Sequence, residues 1–240
     1  MFADMQPASM DPRLKTSMLT YYDERAPEYD ELYTKGAVPG TSIAPQIRLR
    51  EVESLSEIAS AKLRGSVLDA PCGAGFWMVS YAAGCDAITL LDQSPKMLAE
   101  SQKKAALLGI SDRVETRQVD LLSFDFPENR FDSVLIAFLL SHLTDEEMDH
   151  FMTGVRRACR KGGTVVVFDS IWSTARQANG DKSGTHRRRL KDGREFDIYK
   201  RYFAPEDLTD FRRRYGISLE IDYAAEAYIA ASGTLTSSTG

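Results

Sequence analysis

Two features of membrane and exported proteins are missing from this 240-residue sequence: a long apolar run, and an apolar core near the N-terminus, which reads MFADMQPASMDPRLK. A helix that crosses a bilayer needs about 20 apolar residues, and a secretory signal needs a continuous apolar core. We therefore expect a cytoplasmic protein that is neither membrane-spanning nor exported. With 43% hydrophobic residues, the chain is long enough for one well-packed globular domain.

Cysteine is scarce, and basic charge is not in excess. The three cysteines, Cys72, Cys85 and Cys159, cannot all pair within the chain and lack the CxxC spacing of a zinc or redox site, so we interpret them as free thiols. The formal net charge of −5 argues against a general nucleic-acid-binding protein, which would present a net-basic face. Residues 172–203 nevertheless contain nine Lys/Arg against four Asp/Glu, so one segment is locally basic.

Strands and helices alternate through the middle of the chain. Ser94 followed by Pro95 is typical of a helix start, and Thr144 with Glu147 forms a capping box. The predicted strands are 66–70, 87–91, 114–119, 132–137 and 164–168, and the predicted helices are 75–84, 94–109 and 144–163. This alternation predicts an α/β fold, in which a parallel sheet is covered on both faces and a ligand lies at the carboxyl ends of the strands.

The two ends of the chain do not continue this alternation of strands and helices. After a predicted helix over 205–215, the strand-like runs 218–223 and 227–231 lie too close together for a crossover helix. We therefore expect them to form an antiparallel hairpin at one edge of the sheet. Near the N-terminus, Pro27 separates two short predicted helices, and 44–62 reads as a longer amphipathic helix.

Glycines and acids placed directly after the predicted strands indicate a ligand. Gly73 and Gly75 follow the first strand, where the lack of a side chain lets the backbone approach a ligand at a helix N-terminus. Asp92 ends the second strand, and a carboxylate there can accept both hydroxyls of a ribose. Asp120 follows the third strand, in a position to accept the exocyclic amine of an adenine. These residues predict a ligand that contains adenosine.

Two positions distinguish between the adenosine ligands. The dinucleotide fingerprint GxGxxG requires a third glycine where this chain has Met78, so NAD is the weaker candidate and a dehydrogenase stays as an alternative. Asp69, at the tip of the first strand, would repel a pyrophosphate and attract an ammonium group. That asymmetry favours S-adenosylmethionine, whose methionine end carries an amine.

Five stretches within residues 21–231 resemble motifs of the class I S-adenosylmethionine-dependent methyltransferases: VLDAPCGAG, LLDQSPKML, VDLL, FDSVLIAFLLSHL and RKGGTVVVFD. The resemblance implies a Rossmann-like fold with a seven-stranded, mostly parallel sheet whose last strand is antiparallel. It also implies a set of cofactor contacts: Asp69, Gly73 and Gly75 at the methionine portion, Asp92 at the ribose with Gln93 beside it, Met97 on the adenine, Asp120 and Leu121 at the adenine edge, Ala137 and Phe138 beside the sulfonium, and Tyr22 and Tyr29 from an N-terminal lid.

The basic segment is similar to a lid hairpin of one subgroup, small bacterial natural-product methyltransferases such as the phosphonate O-methyltransferase of dehydrophos biosynthesis. The stretches that carry this likeness are LSHL and HRRRLKDGREFDIYKRYF, and they imply that Arg188 and Lys200 face a substrate anion. If 191–193 form a turn with a glycine bulge, these two residues share a face with His186, Phe196 and Ile198. A two-residue Asp-Gly turn would instead separate them.

The polar or small residues at the two ends and the resemblance together divide the chain. We expect a disordered N-terminus, one methyltransferase domain that includes a helical lid and an inserted lid hairpin, and a flexible tail, at residues 1–16, 17–232 (with 17–62 and 171–203 as the lids) and 233–240.

Two residues near the predicted site have a chemical and a structural interpretation. His142 follows the fourth strand, close to the expected methyl group, and is either a general base or a hydrogen-bonded structural histidine. Cys72 is either a nucleophile or a small spacer in a tight turn, and the lack of a histidine near it in sequence favours the spacer. We expect no metal, because Ala137 and Phe138 stand where metal-using relatives carry acids.

The sequence thus predicts an S-adenosylmethionine-dependent methyltransferase that acts on a small molecule, by O-methylation of an anionic or phenolic metabolite. C- or N-methylation stays open, as does a cofactor-binding protein that catalyses a non-transfer step. Methylation of nucleic acid or of protein arginine is disfavoured, because the region after the fourth strand, FLLSHL, lacks both an Asn/Asp-Pro-Pro-Tyr motif and paired glutamates. We expect a monomer or a homodimer.

Overall fold

A central seven-stranded sheet organises the computed structural model, which describes residues 10–36, 43–177 and 180–235. Its strands run in the order β3-β2-β1-β4-β5-β9-β8, and β6 and β7 form a separate two-stranded hairpin. The strands are β1 (Gly65–Asp69), β2 (Cys85–Asp92), β3 (Val114–Gln118), β4 (Phe131–Ala137), β5 (Cys159–Ser170), β6 (Ser183–Arg189), β7 (Glu195–Arg201), β8 (Ile217–Ala224) and β9 (Tyr228–Leu235).

Nine helices are found in the described ranges, and several begin where the sequence places a cap. The side chain of Ser94 accepts a hydrogen bond from the Met97 N–H, and the predicted capping box of Thr144 and Glu147 is formed. The helices are α1 (Pro12–Arg25), α2 (Glu31–Thr34), α3 (Pro45–Lys62), α4 (Met78–Tyr81), α5 (Pro95–Leu107), α6 (Asp145–Ala158), α7 (Thr174–Gln177), α8 (Pro205–Thr209) and α9 (Phe211–Tyr215).

The predicted topology is confirmed. Strands β1 to β5 pair in parallel, and β9 pairs antiparallel with both β5 and β8, so the last two strands form the expected hairpin at the sheet edge. The alternation of side chains along β1 explains why both faces are covered: Val67 packs in the layer that contains Leu55 of α3, and Leu68 packs in the layer that contains Phe151 of α6. The sheet is therefore buried on both sides.

Several predicted boundaries were wrong. The helix expected over 144–163 ends at Ala158, because Cys159 is buried and pairs with Phe131, so that β5 begins there. The helix expected over 75–84 is only the short α4 followed by a 3-10 turn, and the helix expected over 205–215 divides into α8 and α9.

The expected disorder of residues 1–16 is also wrong where the structure describes the chain, since α1 begins at Pro12. The Asp11 side chain caps this helix by accepting the Arg13 N–H, and Met10 is buried against Tyr199 and its neighbours. Strand β9 likewise extends to Leu235, into the segment expected to be a flexible tail. Residues 1–9 and 236–240 lie outside the described residues.

The N-terminal helices and the hairpin cover one end of the sheet together. Helix α1 packs against β7, where the Asp197 N–H donates to Ser17 Oγ at 3.0 Å. The helix end is also joined to α5, because Ser94 Oγ donates to Asp23 at 2.7 Å. Both predicted lids therefore lie over the carboxyl ends of the parallel strands. Within the described ranges, no helix combines the length and the apolar character needed to cross a membrane.

Candidate active site

A cavity of about 410 Å³ opens at the carboxyl ends of the strands, under the N-terminal lid. Ten of the twelve residues predicted to contact a cofactor line it: Tyr22, Tyr29, Gly73, Asp92, Gln93, Met97, Asp120, Leu121, Ala137 and Phe138. Asp69 and Gly75 do not line it. The fold thus brings together residues from the lid and from four different strand ends, as expected of a parallel α/β sheet.

Asp92 ties the glycine loop to the second strand. Its Oδ2 accepts the Gly73 N–H at 2.9 Å, and its Oδ1 accepts the Ser94 N–H at 2.9 Å. Burial raises the pKa of Asp92 to about 6, although these backbone hydrogen bonds lower it. Each carboxylate oxygen keeps a lone pair for a further donor, so the side chain can accept hydrogen bonds from two ligand hydroxyls.

The two glycines of the loop have different roles. Gly73 (φ +52°) lines the cavity, and a Cβ there would lie 3.4 Å from the Tyr29 ring. Gly75 (φ +77°) faces α5 instead, where a Cβ would come within 2.9 Å of Ser101. Both require the left-handed backbone that favours glycine. For Gly75, however, the structure provides a packing reason rather than an approach to the ligand.

Asp69 lies at the tip of β1, fully buried behind the cavity lining. The Tyr81 hydroxyl donates to its Oδ2 at 2.7 Å, while its Oδ1 has no hydrogen-bond partner among the described residues. Burial raises the pKa of Asp69 to about 7, although the hydrogen bond from Tyr81 lowers it. A buried carboxylate oxygen that lacks a donor is a suitable acceptor for an ammonium group.

The opposite end of the cavity has the polar and apolar surfaces expected for an adenine. Asp120 is exposed, and its Oδ1 accepts the Leu122 N–H at 3.0 Å, which holds the carboxylate at the cavity edge. Met97 and Leu121 are buried and provide apolar surface. Cys72 also lines the cavity, but burial raises the pKa of its thiol well above the ordinary value. It is therefore a protonated thiol rather than a nucleophilic thiolate, in agreement with the spacer interpretation.

A second cavity, of about 190 Å³, adjoins the first beneath the hairpin. The two cavities share one wall. It is formed by four aromatic residues and one histidine: Tyr22, Tyr29, Tyr33, Phe138 and His142. The two cavities are therefore adjacent, and these five residues border both of them.

The second cavity is strongly cationic. Arg188 and Lys200, which the sequence predicted to lie together, both line it, and so do three arginines that sequence reasoning missed: Arg25, Arg48 and Arg176. Asp181, which is exposed, is the one carboxylate among the described residues of this lining. Arg48 is 2% exposed and lies on the buried face of α3, the helix that was predicted to be amphipathic. Nothing local in the sequence distinguishes a buried arginine from a solvated one.

The hairpin has the register that places Arg188 and Lys200 on one face. The Leu190 N–H donates to the Arg194 carbonyl at 2.9 Å, and Gly193 has φ +92°. Arg188 is paired with Phe196, and Gly184 with Lys200, so side chains that alternate along both strands face the cavity. The turn with the glycine bulge is thus formed, and the two-residue alternative is excluded.

Lys200 is buried deep in the hairpin side of the second cavity. Its ammonium group donates to Ser141 Oγ and lies 3.5 Å from Asp169 Oδ1. Burial lowers the pKa of Lys200 to about 8; Asp169 raises it, and Arg176 and Arg188 lower it. A lysine with this pKa is largely protonated at neutral pH and provides a positive charge for an anion.

His142 is held between the lid and the hairpin. Its Nδ1 lies 2.7 Å from the Tyr199 carbonyl oxygen and its Nε2 lies 2.7 Å from the Tyr22 hydroxyl. A carbonyl only accepts, so Nδ1 carries the proton and Nε2 accepts from Tyr22. Burial and the nearby Lys200 hold the pKa of His142 well below its usual value, so the ring is neutral. The basic nitrogen is therefore already occupied.

The described residues contain no group of three or more His, Cys, Asp or Glu side chains arranged to hold a metal ion. His186, on the hairpin, lines the second cavity, and burial together with Arg188 lowers its pKa to about 4.

Comparison with known proteins agrees with this geometry. Residues 67–163 match the model of a methyltransferase domain family. The DhpI-SAH complex superposes with a TM-score of 0.73 at 30% identity, covering 95% of this chain and 99% of DhpI, and the DhpI-SAM-HEP complex has a TM-score of 0.75 at the same identity. Phosphatidylethanolamine N-methyltransferase of Cereibacter sphaeroides is 36% identical over 103 residues, and this chain spans 49% of its length.

The assignment of this chain to a family rests on the DhpI structures. They are aligned over the lids as well as the sheet, and they contain SAH or SAM. The first cavity fits that cofactor: Asp92 offers acceptors for hydroxyls, and the unpartnered Oδ1 of Asp69 offers one for an amine. The chain therefore belongs to the class I S-adenosylmethionine-dependent methyltransferases, and S-adenosylmethionine is its cofactor.

Proposed function

We propose that this protein transfers the methyl group of S-adenosylmethionine to an oxygen atom of a small anionic metabolite, in the class of phosphonates and carboxylates. One observation carries the proposal: a cavity lined by five cationic side chains shares its wall with the cofactor cavity. Such a cavity attracts anions. Its volume of about 190 Å³ suits a small molecule rather than a nucleic acid or a folded protein.

The residues of the first cavity hold the cofactor in this proposal. Asp69 accepts the ammonium group of the methionine portion, Asp92 accepts the ribose hydroxyls, and Asp120 with the backbone of Leu121 reads the adenine edge. Ala137 and Phe138 border the sulfonium, and Tyr22 and Tyr29 close the cavity from the lid. The position of Asp69 behind the lining requires a small movement of the glycine loop or an intervening water before this contact forms.

The residues of the second cavity hold the acceptor. S-adenosylmethionine supplies an already activated methyl group, so the main task of the protein is to align the nucleophilic oxygen, which contributes on the order of 7–11 kcal/mol in well-oriented reactions. Arg188 and Lys200 bind the anion, and the ionised oxygen needs no general base. A phenol would need one, and the Tyr22 hydroxyl already occupies Nε2 of His142. This favours an anion over a phenol.

The resemblance to the phosphonate O-methyltransferase of dehydrophos biosynthesis supports the same acceptor class. The experiment is to incubate the protein with S-adenosylmethionine and separate panels of alkylphosphonates, carboxylates, phenols and amines. S-adenosylhomocysteine release and the mass spectrum of the product are then measured. We expect a methyl ester of an anionic acceptor. A methylated phenol, amine or carbon would contradict the proposal, as would an acceptor that changes without release of S-adenosylhomocysteine.

A matched pair of variants connects the activity to the cavity. Lys200→Met removes a buried cation of the second cavity, whereas Arg187→Gln removes an exposed cation of the same hairpin that pairs with Asp197. We expect the first variant to raise KM for the anionic acceptor by about tenfold or more, as expected for a charge-assisted hydrogen bond. The second should leave KM unchanged.

A further inference from the structure

We propose that the acceptor carries two separate anionic groups, and that Arg176 and Arg48 form a second anion subsite besides Arg188 and Lys200. This inference rests on the proposed function, since it concerns the acceptor of the same cavity. It names a narrower substrate class: a small phosphonate or carboxylate that bears a second acid group away from the oxygen that is methylated.

Two guanidinium groups of the second cavity lack a carboxylate partner among the described residues. Five cationic side chains line the cavity, and the carboxylate in its described lining is Asp181, which is exposed. The buried carboxylate of Glu51 binds the Ala227 N–H nearby. Lys200 has Asp169 beside it at 3.5 Å. The guanidinium groups of Arg176 and Arg188 form no ion pair with a carboxylate in the part of the chain that the structure describes. Arg176 and Arg188 are both half-buried. Because partly desolvated cations without counter-charge are costly, a ligand with more than one negative charge is favoured here.

The second subsite comes from other parts of the fold than the hairpin. Arg176 lies on α7 and Arg48 on α3, whereas Arg188 and Lys200 lie on β6 and β7. Arg176 donates to the Ala227 carbonyl at 3.1 Å, which anchors its guanidinium beside the connection between β8 and β9. Arg48 lies over the ring of Tyr228, which follows Ala227 in the chain. The Arg48 Cζ is 6.0 Å from the centroid of that ring. These two arginines are therefore neighbours, held by the start of β9.

Each of the two subsites has a cationic side chain near the ring of Tyr202. The Arg176 guanidinium carbon lies 4.2 Å from its centroid, and Lys200 Nζ lies 5.9 Å from the same centroid. Both charges thus lie near one aromatic ring, and they are near enough to affect each other, since Arg176 contributes to the lowered pKa of Lys200. A short molecule with an acid group at each end can contact both charges at once.

The test compares probes that have one or two acid groups. Binding of methylphosphonate and of 3-phosphonopropionate is measured by titration calorimetry with the full-length protein saturated with S-adenosylhomocysteine. We expect 3-phosphonopropionate to bind at least about tenfold more tightly, in line with one additional charge-assisted contact. Equal affinity for the two probes would overturn the proposal, because the second acid group would then have no partner.

Two variants test whether the tighter binding of 3-phosphonopropionate comes from the second subsite. Arg176→Gln should abolish the preference for 3-phosphonopropionate and leave the affinity for methylphosphonate within about twofold, and Arg48→Gln should act in the same direction. Lys200→Met should weaken the binding of both probes. If Arg176→Gln weakens the two probes equally, or neither of them, the subsite does not exist as proposed.

Controls separate this inference from the function on which it rests. Arg187→Gln, on the solvent side of the hairpin, should change neither affinity. Thermal unfolding and S-adenosylhomocysteine affinity verify that each variant is folded. If the wild-type protein binds neither probe and methylates no anion, the proposed function fails. If it binds methylphosphonate and shows no preference for the second acid group, only the two-anion inference fails.

Discussion

The Tyr22 hydroxyl and Nε2 of His142 lie 2.7 Å apart, and this hydrogen bond joins the N-terminal lid to the loop after β4. The other ring nitrogen binds the Tyr199 carbonyl of the hairpin, also at 2.7 Å. One imidazole therefore connects both lids to the sheet at the wall between the two cavities. A neutral ring with its proton on Nδ1 is the state that satisfies both partners, which makes His142 better suited to position Tyr22 than to accept a proton.

The first prediction concerns this pair. His142→Asn should lower kcat for an anionic acceptor by less than about tenfold, whereas loss of a general base costs about 10²- to 10⁴-fold. Tyr22→Phe should have a similar effect, and the double variant should be no worse than the single ones, because each removes the same hydrogen bond. Steady-state rates against pH provide the measurement. A loss of more than a hundredfold, with additive effects, would identify His142 as a base.

The second prediction concerns pH. The pKa of Lys200 is lowered to about 8 by burial, so its charge is present below that pH and is lost as the pH rises through it. An anionic acceptor remains ionised over this range, so kcat/KM should fall above pH 8 while kcat at saturation changes little. In Lys200→Met the decline should vanish, with KM high at every pH. An unchanged profile in that variant would show that another group titrates.

The third prediction concerns Asp69 in the cofactor-free protein. Burial raises its pKa from 3.8 to about 7, so the folded state binds more protons than the unfolded state between these values. The free energy of unfolding should therefore decrease as the pH rises from about 4 to 7. Asp92, whose pKa is raised to about 6, acts in the same direction. Asp69→Asn should make this dependence shallower, as measured by urea unfolding at several pH values.

The Asp69→Asn substitution should also weaken the binding of the cofactor. The variant removes the charge that the ammonium group would meet, so we expect the Kd of S-adenosylmethionine to rise by at least about tenfold at pH 8. Below the pKa of Asp69, wild type and variant should bind more nearly alike. Cys72→Ala, in the same loop, serves as the control and should change the affinity little. An unaltered Kd in Asp69→Asn would remove Asp69 from the cofactor site.

The fourth prediction concerns the contact between the two lids. At the hairpin tip, Arg194 pairs with Glu24 at 2.7 Å, and Lys191 pairs with Glu31 and with Glu28. These ion pairs are solvent-exposed, so each contributes only weakly and is screened by salt. The double variant Lys191→Gln/Arg194→Gln should therefore speed the release of S-adenosylhomocysteine by up to about tenfold at low salt, and much less at high salt. Stopped-flow measurements with Arg187→Gln as the control test this.

The sequence by itself determined the sheet and most of the cofactor cavity. Apolar runs of strand length, a capping box and Ser94-Pro95 are local signals, and residues at the carboxyl ends of parallel strands converge on one edge whatever the loops do. Asp92, Asp120 and Gly73 line the cavity for that reason. The hairpin register was also accessible, because the chemistry of its turn left two alternatives and one of them brings Arg188 and Lys200 together.

Only the tertiary structure decided the remainder, since burial depends on segments that are far apart in the chain. Helical periodicity does not show that Arg48 turns inward, because that follows from the packing of α3 against β9. Asp69 and Gly75 belong to the same loop region as Gly73, yet one lies behind the cavity lining and the other faces α5. The proton of His142 is assigned by a carbonyl of β7, which is 57 residues away along the chain.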